Sequence, residues 1–121
     1  MILDEYNAYC ATLPATSHVV QWRGAHVWKV GPKVFAIARP EDAETDFRVS
    51  FKVTPESYDI MKDQPGLRPA PHLASRGMKW IQHFEARGLD DESLRAYLAN
   101  SHKLVAAGLS KKMQRELGLL D

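Results

Sequence analysis

Two apolar runs set back to back around Gly31-Pro32, in the stretch WRGAHVWKVGPKVFAIA over residues 22–38, leave this chain few choices of fold. The first run is rich in Val and Trp and the second in Val, Phe and Ile, residues that suit a pleated, half-buried surface. Gly31 supplies backbone freedom at a turn, and Pro32 can stand there because it has no amide to donate to a ladder. The stretch therefore predicts a β-hairpin, with Lys33 placed directly after its turn. Which face of the hairpin is buried stays open, because both runs carry apolar residues on both faces.

A second strand signal is cleaner. Phe47, Val49, Phe51 and Val53 alternate with Arg48, Ser50 and Lys52, the period of a strand with one face in the core and one in water. Arg48 and Lys52 must then point away from the core together. A third candidate runs from Met78 to Phe84, with Met78, Trp80 and Phe84 assigned to the core face and Lys79, Ile81 and His83 to the outer one. Between these last two, Thr54-Pro55-Glu56 starts a helix, since Thr can cap free amides and Pro is pre-set for the first helical position. The prolines at 69 and 71 restrict residues 67–76 to an edge strand or an ordered loop.

Helical signals occupy both ends. Tyr6, Tyr9, Cys10 and Leu13 recur on one helical face over residues 4–13, with Asp4 as the expected cap. Asp90-Asp91 caps a helix holding Leu94, Tyr97 and Leu98. Asn100-Ser101 is expected to interrupt it, with Ser101 capping a final helix that carries Leu104, Val105 and Leu109, contains Gly108 and ends near Gly118. The cations of KKMQR, residues 111–115, are expected near that helix's C-terminus, where the macrodipole favours them. Residues 39–46, RPEDAETD, read as an exposed acidic loop. The predicted architecture is a two-layer α+β domain spanning residues 1–121. Its sheet is mostly antiparallel with helices on one side, in the order α-βββ-α-β(β)-α-α.

Sixteen Lys and Arg against fifteen Asp and Glu leave a formal charge of +1, so attraction to nucleic acid must come from the placement of charge. The single Cys10 excludes an internal disulfide, no apolar run reaches the length of a membrane span, and MILDEYNAY has no signal-peptide character, so a cytoplasmic protein is expected. Chemistry-bearing motifs are missing: no GxxxxGK, no GxGxxG after a strand, no GxSxG and no HExxH. Histidines 18, 26, 72, 83 and 102 are scattered, with no metal-ligand spacing. Asp90, Asp91 and Glu92 suit a helix start better than acid-base work, and Cys10 suits a core position better than reactivity. No cofactor, no metal and no catalytic residue is expected. Lys33, His72, Trp80 and Ser101 are the loose set from which an active site could be assembled.

What remains is electrostatic. Arg48, Lys52 and Lys79 are expected on the open face of the sheet with Ser50 and His83. Arg23, Lys29 and Lys33 flank the hairpin, and Arg68 and Arg76 the later loop. Such a face can contact phosphates, as β-ribbon readers do, or it can serve only to keep the sheet solvated. A module that binds a protein or a second copy would instead expose an apolar patch, around Phe35, Ile37 and Ile81.

Taken together, WRGAHVWKVGPKVFAIA, FRVSFKVTPE, LRPAPHLASRGMKWIQH and ANSHKLVAAGLSKK resemble the MmcQ/YjbR family of small bacterial proteins over residues 15–115. The family usually shows Ser-Tyr where this chain has Ser101-His102. The resemblance implies a secretion-chaperone-like α+β fold without known catalysis. It also implies DNA binding, a label the family carries because its curved sheet is similar to a double-wing motif. On this chain that reading falls on Lys33 at the wing turn and on Arg48, Lys52 and Lys79, with DNA, a protein or a second copy as the possible partner and the membrane excluded.

Overall fold

The computed structural model describes residues 1–40, 47–71, 73, 76–85 and 87–120, so the expected acidic loop over 41–46, and His72, lie outside the described residues. Six strands form one sheet: β1 (Thr16–Gln21), β2 (Ala25–Val30), β3 (Lys33–Arg39), β4 (Arg48–Lys52), β5 (Leu67–Pro69) and β6 (Trp80–His83). The spatial order is β1-β2-β3-β4-β6-β5, and every described pairing is antiparallel. Four helices accompany it: α1 (Leu3–Ala11), α2 (Pro55–Met61), α3 (Asp91–Ala107) and α4 (Lys111–Glu116). The α+β class holds, with four strands before α2 where three were expected.

The hairpin turns at Gly31-Pro32, with Val30 opposite Lys33 and Gly31 in the left-handed region at φ +55°. The sequence reading began it too early, at Trp22. Trp22, Arg23 and Gly24 instead form the β1–β2 turn, and the strand missed before it, β1, is an edge strand exposed along most of its length. An edge strand lacks the in-out alternation that marks a half-buried one. Inside β3 the register skips Phe35, pairing Trp28 with Ala36 and Lys29 with Val34. This bulge turns Phe35 and Ala36 into the core together, and both are fully buried.

The core lies between one sheet face and α1 and α3. It joins Tyr6 and Cys10 of α1, Phe35, Val49 and Phe51 of the sheet, and Leu94, Leu98 and Val105 of α3. Burial pushes the Cys10 thiol up to about 12, so it behaves as a small core hydrophobe. Val49 and Phe51 confirm the alternation read in β4. Thr54 caps α2 by accepting from the Ser57 amide, and Asp90 caps α3 by accepting from the Ser93 amide, both as expected.

Several local expectations are corrected. Asp4 lies in the first turn of α1, behind an Ile2 cap. Ser101 does not break the helix: α3 runs through it, and the stop comes at Gly108, followed by Ser110 as the cap of α4. Lys111 and Lys112 therefore open α4, and only Arg115 occupies its last turn. The face of β6 is inverted. Ile81 pairs with Phe51 and His83 with Val49, facing the core, whereas Trp80 pairs with Lys52 and Gln82 with Ser50 on the outer face. Trp80 is nevertheless buried, because the outer face of the sheet is itself partly covered.

Candidate functional site: the outer face of the sheet

Strand alternation sorts the outer face. From β4 it takes Arg48, Ser50 and Lys52, from β3 Ile37 and Arg39, from β6 Trp80 and Gln82, and from β5 Arg68. Arg48 and Lys52 do share this face, as read from the sequence, but they stand at opposite ends of β4, about 13 Å apart along the strand. The four residues proposed as phosphate contacts thus separate into two places.

At one end Lys33 and Lys52 line a groove with Trp80 and Met78, closed on the far side by Leu104, Val105 and Gly108. A neighbouring groove adds Lys79 and shares Lys52, Met78 and Trp80. Lys79 reaches this end from outside β6, at the parity of Ile81, with its Nζ 4.7 Å from the centroid of the Tyr58 ring. It is thus corrected off the outer face while remaining beside Lys52. His83 leaves the face altogether.

At the other end Arg48 is the one candidate phosphate contact expected from the sequence, with Ser50 beside it and Arg68 and Arg76 assigned to the later loop. Here Arg39 pairs directly across from Arg48, and Arg39, Arg76, Trp22, Ile37, Ser50 and Gln82 line a cavity of about 420 Å³. Pro71 and Leu73, from the segment after β5, complete its wall, so this part of the face is a walled hollow and not the flat open sheet expected. Arg68 donates from Nε to Gln82 Oε1 at 2.8 Å, and its guanidinium lies 4.7 Å from the Phe84 ring centroid. The nearest sequence signal was a pair of mid-strand polar residues, Ser50 and Gln82, which become neighbours only once β4 and β6 pair.

Among the described residues none of these lysines and arginines forms an ion pair; the pairs present are Met1–Asp91, Lys62–Asp59 and Arg87–Glu85. Among the described residues no carboxylate compensates their charge at close range, although the whole chain is nearly neutral.

Of the loose catalytic set, Lys33 and Trp80 share the groove beside Lys52, His72 lies outside the described residues, and the Ser101 hydroxyl is engaged elsewhere. Ser101 is fully buried, its Oγ donating to the Phe35 carbonyl at 2.7 Å and accepting from the Lys52 amide at 2.9 Å. It joins the bulge of β3 to β4 from inside α3, and both roles of the hydroxyl are occupied. His102 next to it donates from Nε2 to the Pro14 carbonyl at 2.7 Å and meets Phe35 edge-on. Two scattered histidines do meet in space. His18 Nε2 lies 3.0 Å from His26 Nδ1 on the helix side of the β1–β2 hairpin, and the His18 ring stacks on Trp28. Trp28 Nε1 donates to Asn7 Oδ1, which turns the Asn7 amide nitrogen toward His26 Nδ1 and makes that atom an acceptor. Among the described residues no three His, Cys, Asp or Glu side chains gather as a metal set.

The family model described as YjbR matches residues 11–104. The chain belongs to the YjbR family. This YjbR chain is also similar to the Deinococcus radiodurans protein DR2400, whose crystal structure is described with a DUF419 domain. The two share 25% identity with a TM-score of 0.80, over 98% of this chain and 89% of that one. No curated protein matches. Among the described residues no helix of this YjbR chain is long and apolar enough to cross a membrane.

Proposed function

We propose that this YjbR protein is a non-catalytic, cytoplasmic nucleic-acid-binding protein that holds a phosphate backbone along the outer face of its sheet. The observation that supports this most is the pair of cationic clusters at the two ends of β4, neither neutralised by a described carboxylate. Their separation of about 13 Å corresponds to about four base steps of rise along a duplex axis at about 3.4 Å each. Fluorescence anisotropy with labelled duplex and single-stranded DNA at about 50 and 200 mM salt tests the reading. Saturable binding that weakens steeply with salt and is lost in Lys52→Glu/Lys79→Glu supports it. Affinity indifferent to both changes, or no binding at low salt, refutes it.

A second reading draws on β1. The patch expected around Phe35, Ile37 and Ile81 is absent, since Phe35 and Ile81 are core residues, but Val19, Val20 and Trp22 are exposed along the free edge of the sheet. That edge suits strand addition by a peptide or by a second copy. A molecule that elutes as a monomer at all concentrations and ignores extended peptides would rule it out.

A further inference from the structure

The cavity at the arginine end contains two polar side chains with unmet hydrogen-bonding capacity. Ser50 and Gln82 are 7% and 8% exposed and stand directly opposite each other on β4 and β6. Gln82 Oε1 already accepts from Arg68, which fixes the amide so that its two N–H donors are left over. Ser50 Oγ has no hydrogen-bond partner among the described residues. Both residues line the same hollow, where their polar groups are open to bonding by a molecule that enters it.

The rest of the lining narrows the class of ligand. Arg39 and Arg76 supply fixed positive charge at the rim, while Trp22, Ile37 and Leu73 supply flat or apolar wall. An inorganic anion would use the arginines and leave that wall bare. The cavity, at about 420 Å³, falls within the range of about 300–1,000 Å³ typical of small-molecule sites. The turn bearing Trp22 is also costly to maintain: Trp22 and Arg23 hold φ values of +49° and +63°, a region bulky L-residues avoid. Arg39 Nη1 donates to the Trp22 carbonyl at 2.9 Å and holds the turn against the rim, leaving the Trp22 residue 51% exposed.

We infer that this cavity binds one nucleotide unit, with its base against Trp22, the base edge on Ser50 and Gln82, and its phosphate on Arg39 and Arg76. The inference deepens the nucleic-acid reading and rests on it for the kind of ligand. The unit is either a free mononucleotide or an unstacked nucleotide within a single strand, for which a Trp platform beside cations is a general solution.

The test is an NMR titration of the ¹⁵N-labelled full chain with AMP, with inorganic phosphate and with a short oligothymidylate, following the Trp22 indole and Gln82 side-chain amide signals. AMP moving both signals saturably identifies a free nucleotide, and the oligonucleotide alone moving them identifies a strand-held one. Phosphate is expected to bind at least about tenfold more weakly than the productive ligand, and Arg76→Glu, at an exposed position, to weaken that ligand about tenfold. Trp22→Ala is expected to abolish the shift at Gln82. Lys52→Glu/Lys79→Glu, at the far end of β4, should leave AMP binding unchanged while lowering oligonucleotide affinity. The inference is overturned if neither AMP nor the oligonucleotide moves the two signals, or if shifts persist unaltered in Arg76→Glu and Trp22→Ala. Anisotropy binding that survives such a failure and is still lost in the lysine variant leaves the broader reading standing without this site.

Discussion

The Ser101 hydroxyl ties α3 to two strands at once, bonding the Phe35 carbonyl of β3 and the Lys52 amide of β4. Replacing it with Ala strands the Lys52 amide and the Phe35 carbonyl in a buried place, at about 1–3 kcal/mol for each unmet group. Ser101→Ala is therefore expected to lower unfolding free energy by about 2–6 kcal/mol, read as an earlier urea midpoint with unchanged slope. His18 gives a pH signature of its own. Burial, and then the adjacent His26, hold its imidazole below the ordinary value, so the folded chain binds this proton less readily than the unfolded chain does. Its contribution is whole above about pH 6.5 and is lost as pH falls through the lowered native value. Urea midpoints should drop between pH 7.5 and 5.5, and His18→Gln should flatten that drop.

Among the elements, the β5–β6 corner depends on a backbone approach that only glycine permits. A Cβ on Gly66 would stand 2.3 Å from the Gly88 nitrogen, whereas a Cβ on Gly77, at the same φ of +79°, would meet nothing within 4 Å. Both substitutions to Ala carry a left-handed penalty of about 1–2 kcal/mol, and Gly66→Ala adds a steric cost of at least about 1–3 kcal/mol. Thermal midpoints of the two variants separate these contributions. The elements themselves were legible where one face is dry and the other wet: the alternation of Val49 and Phe51 reads directly as a strand, and Thr54-Pro55 directly as a helix start. Elements without that contrast were not. Strand β1 is wet on most of its residues, β6 is buried on both faces so that Trp80 and Ile81 compete for the core, and Ser101 belongs to a residue type that caps helices as readily as it bridges strands.

For the whole molecule, near-neutrality conceals a division of charge. The sequence shows which cations lie near strands but not that Lys33, Lys52 and Lys79 collect around Trp80 while Arg39, Arg48, Arg68 and Arg76 surround Ser50 and Gln82. That grouping follows from pairing across β3, β4, β6 and β5, which no local spacing encodes. If position and not total charge governs association, replacing Lys103, Lys111 and Lys112 with Gln should leave nucleic-acid affinity within about twofold. Replacing Lys33, Lys52 and Lys79 should flatten the log-log salt dependence by about one unit per phosphate contact removed. Anisotropy titrations over a salt series decide between these outcomes.

The order of the strands also has a consequence for synthesis. The meander β1-β2-β3-β4 lies in the first half of the chain, yet the surface formed by Phe35, Val49 and Phe51 is covered by α3, which is encoded only at Asp91–Ala107. At about 5–20 residues per second, the ribosome leaves that surface uncovered for about 3–11 s. A nascent chain of this protein thus carries a sticky half-sheet for seconds before its own helix arrives to cover it.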